Sequence, residues 1–236
     1  MINLAGLEKQ LGFVFKNKNL LLQALTHRSY LNENPSFEVG HNERLEFLGD
    51  AVLELVVTEE LYLNYPEKQE GELTSLRAAL VNAEMLARMA ENLGMNDYLL
   101  LSRGEKKDTG RARHYILANA FESLIGAIYL DQGYVVGESF IKKHLLFKID
   151  EVVEKKLWKD PKSTFQEEAQ ERAGVTPHYR VIKEIGPDHQ KRFSVGVYIG
   201  PEFVAAGTGP SKQEAEDIKK KLEEAGSAFQ LLSDKE

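Results

Sequence analysis

The sequence contains no cysteine and only one tryptophan among its 236 residues. The lack of cysteine excludes disulfides, thiolate zinc sites and cysteine nucleophiles, and it is typical of proteins in a reducing compartment. Long apolar runs are also missing, because acidic and amide side chains interrupt 47–57 and 115–130, so we expect no transmembrane helix. The first residues lack the apolar stretch of a secretion signal. These absences predict a cytoplasmic protein that has no membrane partner.

Basic residues are in the minority. The chain has 30 Lys and Arg against 37 Asp and Glu, which gives a net charge of −7. Residues 159–236 alone carry 12 basic and 14 acidic side chains. This balance argues against a protein that coats nucleic acid through its overall charge. Any contact with nucleic acid is therefore expected to come from local patches.

The spacing of apolar residues divides the chain into two parts. Residues 1–157 follow a three- and four-residue spacing that predicts helices, including long ones over 42–64 and 74–92, with a polar loop over 102–110. Residues 160–230 then give a helix, three segments of alternating apolar residues and a final helix. The sequence therefore predicts an all-α domain followed by a small α+β domain of order α-β-β-β-α.

Acidic residues recur on one face of the helix predicted over 42–64. Glu43, Glu46 and Asp50 fall within an arc of about 60° on a helix. Asn119 and Glu122 share a face of a second, mostly apolar helix. Carboxylates crowded on a partly buried face need a proton, a basic partner or a metal ion. Two such helices could form a Mg²⁺ site, and paired metal ions suit phosphodiester hydrolysis.

A solvated helix face is the alternative interpretation of these acids. Acids at this spacing commonly pair with neighbouring bases, and Arg44 is such a neighbour. The spacing alone leaves both interpretations open, and it selects no substrate.

Several longer segments carry more specific information than the spacing. In chain order they read THRSYLNE (26–33), HNERLEFLGDAVL (41–53), EGELTSLRAALV (70–81) and ILANAFESLIGAIYLDQG (116–133). Together they resemble the ribonuclease III family. The later segments PKSTFQEEAQERAG, PHYRVIKEIGPDHQKRF and GTGPSKQEAE resemble a double-stranded-RNA-binding domain.

This resemblance implies an endoribonuclease that works as a homodimer. It implies hydrolysis of phosphodiester bonds in double-stranded RNA with Mg²⁺, for which Mn²⁺ can substitute, and without a small-molecule cofactor. The products would carry short 3′ overhangs, and the biological role would be the processing of rRNA and mRNA precursors.

The resemblance also assigns residues of the catalytic domain. The metal ligands it implies are Glu46, Asp50, Asn119 and Glu122. Glu43 and Glu70 match acidic residues that act beside the metal site, so all the acids named here are expected to be catalytic. Phe47 matches an aromatic residue at the dimer interface, although an ordinary core phenylalanine would fit the spacing equally well.

Asn119 departs from the family pattern, which has aspartate at this position. An amide oxygen can still bind a cation, but it brings no negative charge. Loss of one charged ligand is expected to weaken Mg²⁺ binding, because this hard ion relies on carboxylates. The alternative function is therefore a catalytically impaired protein on the same fold that binds double-stranded RNA without cutting it.

The resemblance places RNA contacts in three segments of the second domain. Proteins read duplex RNA mainly by its shape, across the shallow minor groove. The residues implied are Ser163, Gln166, Glu167 and Gln170 in the first helix, Pro187 and His189 in a loop, and Ser211 and Lys212 at the start of the last helix. For each of them, a solvated cap or turn is the alternative interpretation.

Overall fold

The computed structural model describes residues 3–107, 109–156, 158, 165–166, 169–171, 174–187 and 191–209. The chain divides into two compact units, Met1–Trp158 and Lys159–Glu236. Within the described ranges, no helix is both long and apolar enough to cross a membrane.

The first unit is helical throughout. Its α-helices are α1 (Leu4–Leu11), α2 (Lys18–Ala24), α3 (Arg28–Glu33), α4 (Glu43–Asn64), α5 (Glu70–Leu80), α6 (Ala83–Asn92), α7 (Arg103–Lys107), α8 (Arg111–Gln132), α9 (Tyr134–His144) and α10 (Ile149–Glu154). Short 3₁₀ helices lie at Met95–Tyr98 and Leu146–Lys148.

The longest predicted helix is confirmed, and two other predictions are wrong. Helix α4 ends at Asn64, because Tyr65 precedes a proline and leaves the helical region. The helix predicted over 74–92 is two helices, since the Asn82 side chain accepts a hydrogen bond of 2.9 Å from Met85 N and starts α6 anew. The loop predicted over 102–110 contains the short helix α7.

Helices α4 and α8 cross at the centre of the first unit. Both bury apolar side chains along their length, and α8 is buried almost continuously from Ile116 to Ile128. At the crossing, each helix presents a glycine to the backbone of the other. A Cβ on Gly49 would overlap with the carbonyl oxygen of Glu122, and a Cβ on Gly126 would overlap with that of Leu45. Only glycine therefore permits this close approach of the two helices.

The described part of the second unit contains an antiparallel sheet. Its strands are β1 (His178–Ile185), β2 (Arg192–Ile199) and β3 (Glu202–Gly209), in the order β1-β2-β3. One face of the sheet packs through Val197 against Phe165 and Ala169. The three predicted strands are thus confirmed, while the predicted last helix lies outside the described residues.

One register detail of the sheet differs from the sequence prediction. Simple alternation predicts Tyr179, Val181 and Lys183 on the same face. The pairing of β1 with β2 shifts between Val181 and Lys183, which is the signature of a β-bulge. Because the bulge adds one residue, Lys183 lies on the opposite face from Val181.

The helix crossing yields a test of stability. We expect Gly49→Ala to lower the free energy of unfolding by about 3 kcal/mol, the upper end for an overpacked core. Gly71→Ala in α5 is the matched control, because a Cβ there meets nothing within 4 Å. Its effect should stay below about 1 kcal/mol. Urea unfolding followed by circular dichroism measures both, and equal midpoints for Gly49→Ala and wild type would contradict the crossing.

Candidate metal site

The helix crossing brings the predicted metal ligands together. Glu46 and Asp50 lie one turn apart on α4, and Asn119 and Glu122 lie on the facing part of α8. The Asn119 side chain hydrogen-bonds to the carboxylate of Glu46, and the charges of Glu46 and Asp50 both act on Glu122. Residues more than 60 positions apart in the sequence therefore share one site.

The acids of this site hold protons more tightly than usual. Burial, followed by the charges of Asp50 and Glu46, raises the pKa of Glu122 from its ordinary value of 4.5 to about 8. Burial and the neighbouring charges of Glu43 and Asp50 raise the pKa of Glu46, while the hydrogen bond from Asn119 lowers it. Burial, with a smaller effect from Glu54, also raises the pKa of Asp50. Negative charge on these three acids is therefore disfavoured.

The donor set suits a hard divalent cation. Three carboxylates and one amide oxygen are ligands that Mg²⁺ and Mn²⁺ accept. A cation here would favour the charged carboxylates and so oppose the burial and the repulsion that raise the three pKa values. Among the described residues, however, no three His, Asp or Glu side chains are already gathered closely enough to hold an ion. Binding of an ion would therefore require these side chains to move closer together.

The two other predicted catalytic acids occupy different positions. Glu43 begins α4 and is half exposed, with Arg28 Nη1 at 3.6 Å and His41 Nδ1 at 3.8 Å from its carboxylate oxygens. It still acts electrostatically on Glu46. Glu70 begins α5, where its Oε1 accepts a hydrogen bond of 3.1 Å from Thr74. It lies near Tyr62 at the far end of α4, so a single chain does not bring Glu70 to the site.

Phe47 lies on the surface of the first unit. Its side chain is 82% exposed, although it follows Glu46 in the second turn of α4, a helix that buries apolar residues along its length. The interpretation of Phe47 as an ordinary core residue is therefore wrong. Among the residues that the structure describes, none covers this ring.

The predicted RNA-contacting residues are only partly described. Gln166, Gln170 and Pro187 are exposed, and Gln170 Oε1 accepts a hydrogen bond of 3.1 Å from Thr176. The remaining predictions, at Ser163, Glu167, His189, Ser211 and Lys212, fall outside the described residues.

Sequence reasoning missed the residues that hold the ligands in place. The buried Ser123 hydroxyl lies 2.7 Å from Asn119 O and 3.2 Å from Asn42 O, so it links α8 to the residue preceding α4. Gly49 and Gly126 set the distance between the helices. The available signal was a glycine within each of two apolar helices, next to the acids, where glycine is otherwise unfavourable.

The raised pKa of Glu122 predicts how pH changes the stability of the metal-free protein. Between 4.5 and about 8, the folded state keeps a proton on Glu122 that the unfolded chain has released. The free energy of unfolding should therefore fall as pH rises through this range. Urea unfolding in the presence of a chelator should show a smaller fall for Glu122→Gln.

Glu84→Gln is the control for this measurement, because Glu84 is a surface residue of α6 that pairs with Arg88. It should keep the pH dependence of the wild type. Identical pH dependence in Glu122→Gln and wild type would contradict the crowded acid site.

Comparison with known proteins agrees with this architecture. Residues 17–149 match the Ribonuclease-III-like family, and residues 161–218 match the double-stranded RNA binding motif. The chain is 45% identical to Ribonuclease 3 of Desulforamulus reducens over 226 residues, which cover 96% of this chain and 90% of the relative. It is also 45% identical to Ribonuclease 3 of Carboxydothermus hydrogenoformans over 230 residues, with coverage of 98% and 96%.

A solved structure is similar to the helical unit. It is the nuclease domain of ribonuclease III from Campylobacter jejuni, which is 42% identical in sequence. That structure is described as showing structural flexibility in a region involved in dimer formation. The structural match covers 60% of this chain and 98% of the Campylobacter chain, with a TM-score of 0.54. The resemblance seen in the sequence is confirmed, and the chain belongs to the ribonuclease III family of endoribonucleases.

Proposed function

We propose that this chain hydrolyses phosphodiester bonds of double-stranded RNA at the site formed by Glu46, Asp50, Asn119 and Glu122. The carrying observation is that burial, with the charges of Asp50 and Glu46, raises the pKa of Glu122 to about 8 where α4 crosses α8. The match of the second unit to a double-stranded RNA binding motif supports the choice of substrate. Products with short 3′ overhangs, from rRNA and mRNA precursors in the cytoplasm, are part of this proposal.

The site is proposed to work with Mg²⁺, which Mn²⁺ can replace. The family depends on divalent metal ions, and the oxygen-only donor set favours these two. When bound, such an ion supplies Lewis acidity that activates water and neutralises charge on the phosphodiester. The three carboxylates would hold the ion, and the hydrogen bond from the buried Ser123 hydroxyl to Asn42 O would keep α8 in position for it.

Asn119 fits this function as a neutral ligand. Its side chain already hydrogen-bonds to Glu46, so it orients one of the charged ligands. An amide oxygen can also bind a cation directly. No observation favours the alternative of an impaired RNA-binding protein, and the relatives at 45% identity are named Ribonuclease 3.

The proposed homodimer rests on an exposed face of α4. Phe47 is 82% exposed, Leu55 56% and Tyr62 71%. These side chains fall within an arc of about 80° and form one apolar stripe along the helix. Large exposed apolar stripes mark interfaces, and a twofold axis pairs such a stripe with itself.

A cavity at the other end of this stripe supports the same arrangement. It measures about 470 Å³ and is lined by Tyr62, Leu73 and Arg77 among others. Two α4 helices packed antiparallel would bring Phe47 of one chain to this cavity of the other. Glu70 also lines the cavity, so the same packing would bring it towards the partner's acid site. The catalytic role predicted for Glu70 is therefore proposed to act between chains.

A cleavage assay on an end-labelled RNA hairpin tests the proposed site. Glu122→Gln should slow cleavage by about 100-fold or more, because a metal ion contributes several kcal/mol to such reactions. Asn119→Asp should cut at lower Mg²⁺ concentrations than wild type, since it adds a charged ligand. Glu84→Gln serves as the surface control and should cut like the wild type.

Two results would overturn the assignment. Cleavage by Glu122→Gln at the wild-type rate would show that RNA is not hydrolysed at this site. Cleavage by Asn119→Asp alone, with an inactive wild type, would establish the impaired alternative.

Replacement of Phe47 tests the dimer. The wild type should have a mass near twice the 26.7 kDa of one chain in size-exclusion chromatography with light scattering. Phe47→Glu should shift this mass to the monomer, because it places two charges in the apolar interface. Phe147→Glu changes another exposed phenylalanine and should leave the dimer intact. A dimeric Phe47→Glu protein would contradict the proposed interface.

A further inference from the structure

The sheet of the second unit has an outer face that no described residue covers. The inner face packs through Val197 against Phe165 and Ala169. The outer face carries side chains at alternate positions of the three strands. Phe203 on this face is 56% exposed, and Ile182 is 51% exposed. Exposed rings and aliphatic groups on a sheet of this size call for an explanation.

The aromatic side chains of the outer face contact one another. The His178 and Tyr198 rings are stacked, with centroids 5.4 Å apart and an angle of 15° between their planes. Phe203 packs edge-on against Tyr198 at 5.5 Å. The Arg180 guanidinium lies 5.6 Å from the centre of the Tyr198 ring. These contacts hold the rings as a pre-formed aromatic surface, which lowers the entropy lost on binding.

The charges of this face have a single sign. In the described strands, the charged side chains at outer positions are Arg180, Lys183 and Arg192, which pair with Gly196, Ser194 and Ile185 respectively. The acidic side chains Glu184 and Glu202 fall at inner register positions. The bulge in β1 is what moves Lys183 to the outer face.

Gly196 lies in the middle of this surface, where its lack of a side chain leaves room for neighbouring groups. A Cβ at Gly196 would lie 2.7 Å from Ile182 Cδ1 and 3.0 Å from Tyr198 Cε2, so both neighbours lean over the glycine. The result is a continuous surface of aromatic and aliphatic groups with cations around it. Aromatic rings interleaved with cations on a sheet are the features that bind single-stranded nucleic acid.

We propose that this outer face is a second RNA site, which binds unpaired nucleotides. Bases would stack on Tyr198 and Phe203, while Arg180, Lys183 and Arg192 neutralise the phosphates. Duplex RNA cannot use the aromatic surface, because its bases are stacked and paired within the helix. The proposed duplex contacts include Gln166. This residue follows Phe165, which packs on the inner face of the sheet, so the duplex contacts and the aromatic surface involve different faces.

The site would let the chain grip a structured RNA at two places. Helical segments would occupy the duplex-binding residues, and an adjacent loop or overhang would occupy the sheet. Loops and overhangs would then contribute to affinity without being cut. This inference depends on binding alone and stands apart from the proposed cleavage.

Fluorescence anisotropy on the full chain tests the second site. The probe is a labelled oligouridylate of about twelve nucleotides, a length that one small domain can cover, with a chelator present to prevent cleavage. Tyr198→Ala should weaken binding of the oligouridylate about tenfold, since it removes the central stacking ring. Binding of a blunt RNA duplex should stay within about twofold, which also establishes that the variant is folded.

Replacement of a basic residue should affect oligouridylate binding differently from replacement of the Tyr198 ring. Arg192→Ala should reduce the salt dependence of oligouridylate binding by about 0.7 in the log–log slope, the value for one phosphate contact on a single strand. Tyr198→Ala should leave that slope unchanged. Arg88→Ala in α6 is the matched control, because it removes one cation from the other unit and should alter neither quantity.

Three results would overturn the proposal. One is oligouridylate binding that Tyr198→Ala and Arg192→Ala leave unchanged. Another is complete displacement of the oligouridylate by an equivalent amount of blunt duplex. The third is no binding of single strands at all, which would leave the aromatic face to a protein partner.

Discussion

The contact between Gly49 and Gly126 determines the geometry of the catalytic unit. Helices α4 and α8 approach so closely that a Cβ on either glycine would overlap with the other helix's backbone. This distance decides whether acids on the two helices form one site or two separate surfaces. Helix α8 also packs against α2, α6 and α9, so the crossing that positions the candidate ligands lies within the core of the unit.

The crossing creates an electrostatic conflict that the protein alone does not resolve. Burial raises the pKa values of Glu46, Asp50 and Glu122, and the charges of neighbouring acids raise them further. An RNA phosphate would add further negative charge. A divalent cation held by these residues would oppose both effects, since it would favour the charged carboxylates and attract the phosphate. The stability that we expect the metal-free protein to lose as pH rises would be a consequence of this proposed role.

Local pattern in the sequence predicted which side chains share a helix face. Glu46 and Asp50 on one helix, and Asn119 and Glu122 on another, followed directly from helical periodicity. Periodicity could not predict that the two helix faces lie against each other, because the crossing depends on the tertiary contact of two glycines. The break before Asn82 was hidden for a similar reason, since the apolar spacing continues through it and only the capping asparagine marks it.

Strand alternation had the same limit in the second unit. It predicted three strands but not the bulge after Val181, which moves Lys183 to the outer face. Burial was equally hard to predict from the sequence. Phe47 is a large apolar residue of the kind that fills protein cores, yet its side chain is 82% exposed. In both cases the sequence specifies the local element, while its neighbours decide what the side chain contacts.

Anomalous diffraction from crystals soaked in Mn²⁺ tests the central claim most directly. The account predicts the strongest anomalous peak among the side chains of Glu46, Asp50, Asn119 and Glu122, and its loss in Glu122→Gln crystals. A strongest peak elsewhere on the chain, or one that persists in Glu122→Gln, would contradict the claim that the α4–α8 crossing forms the metal site.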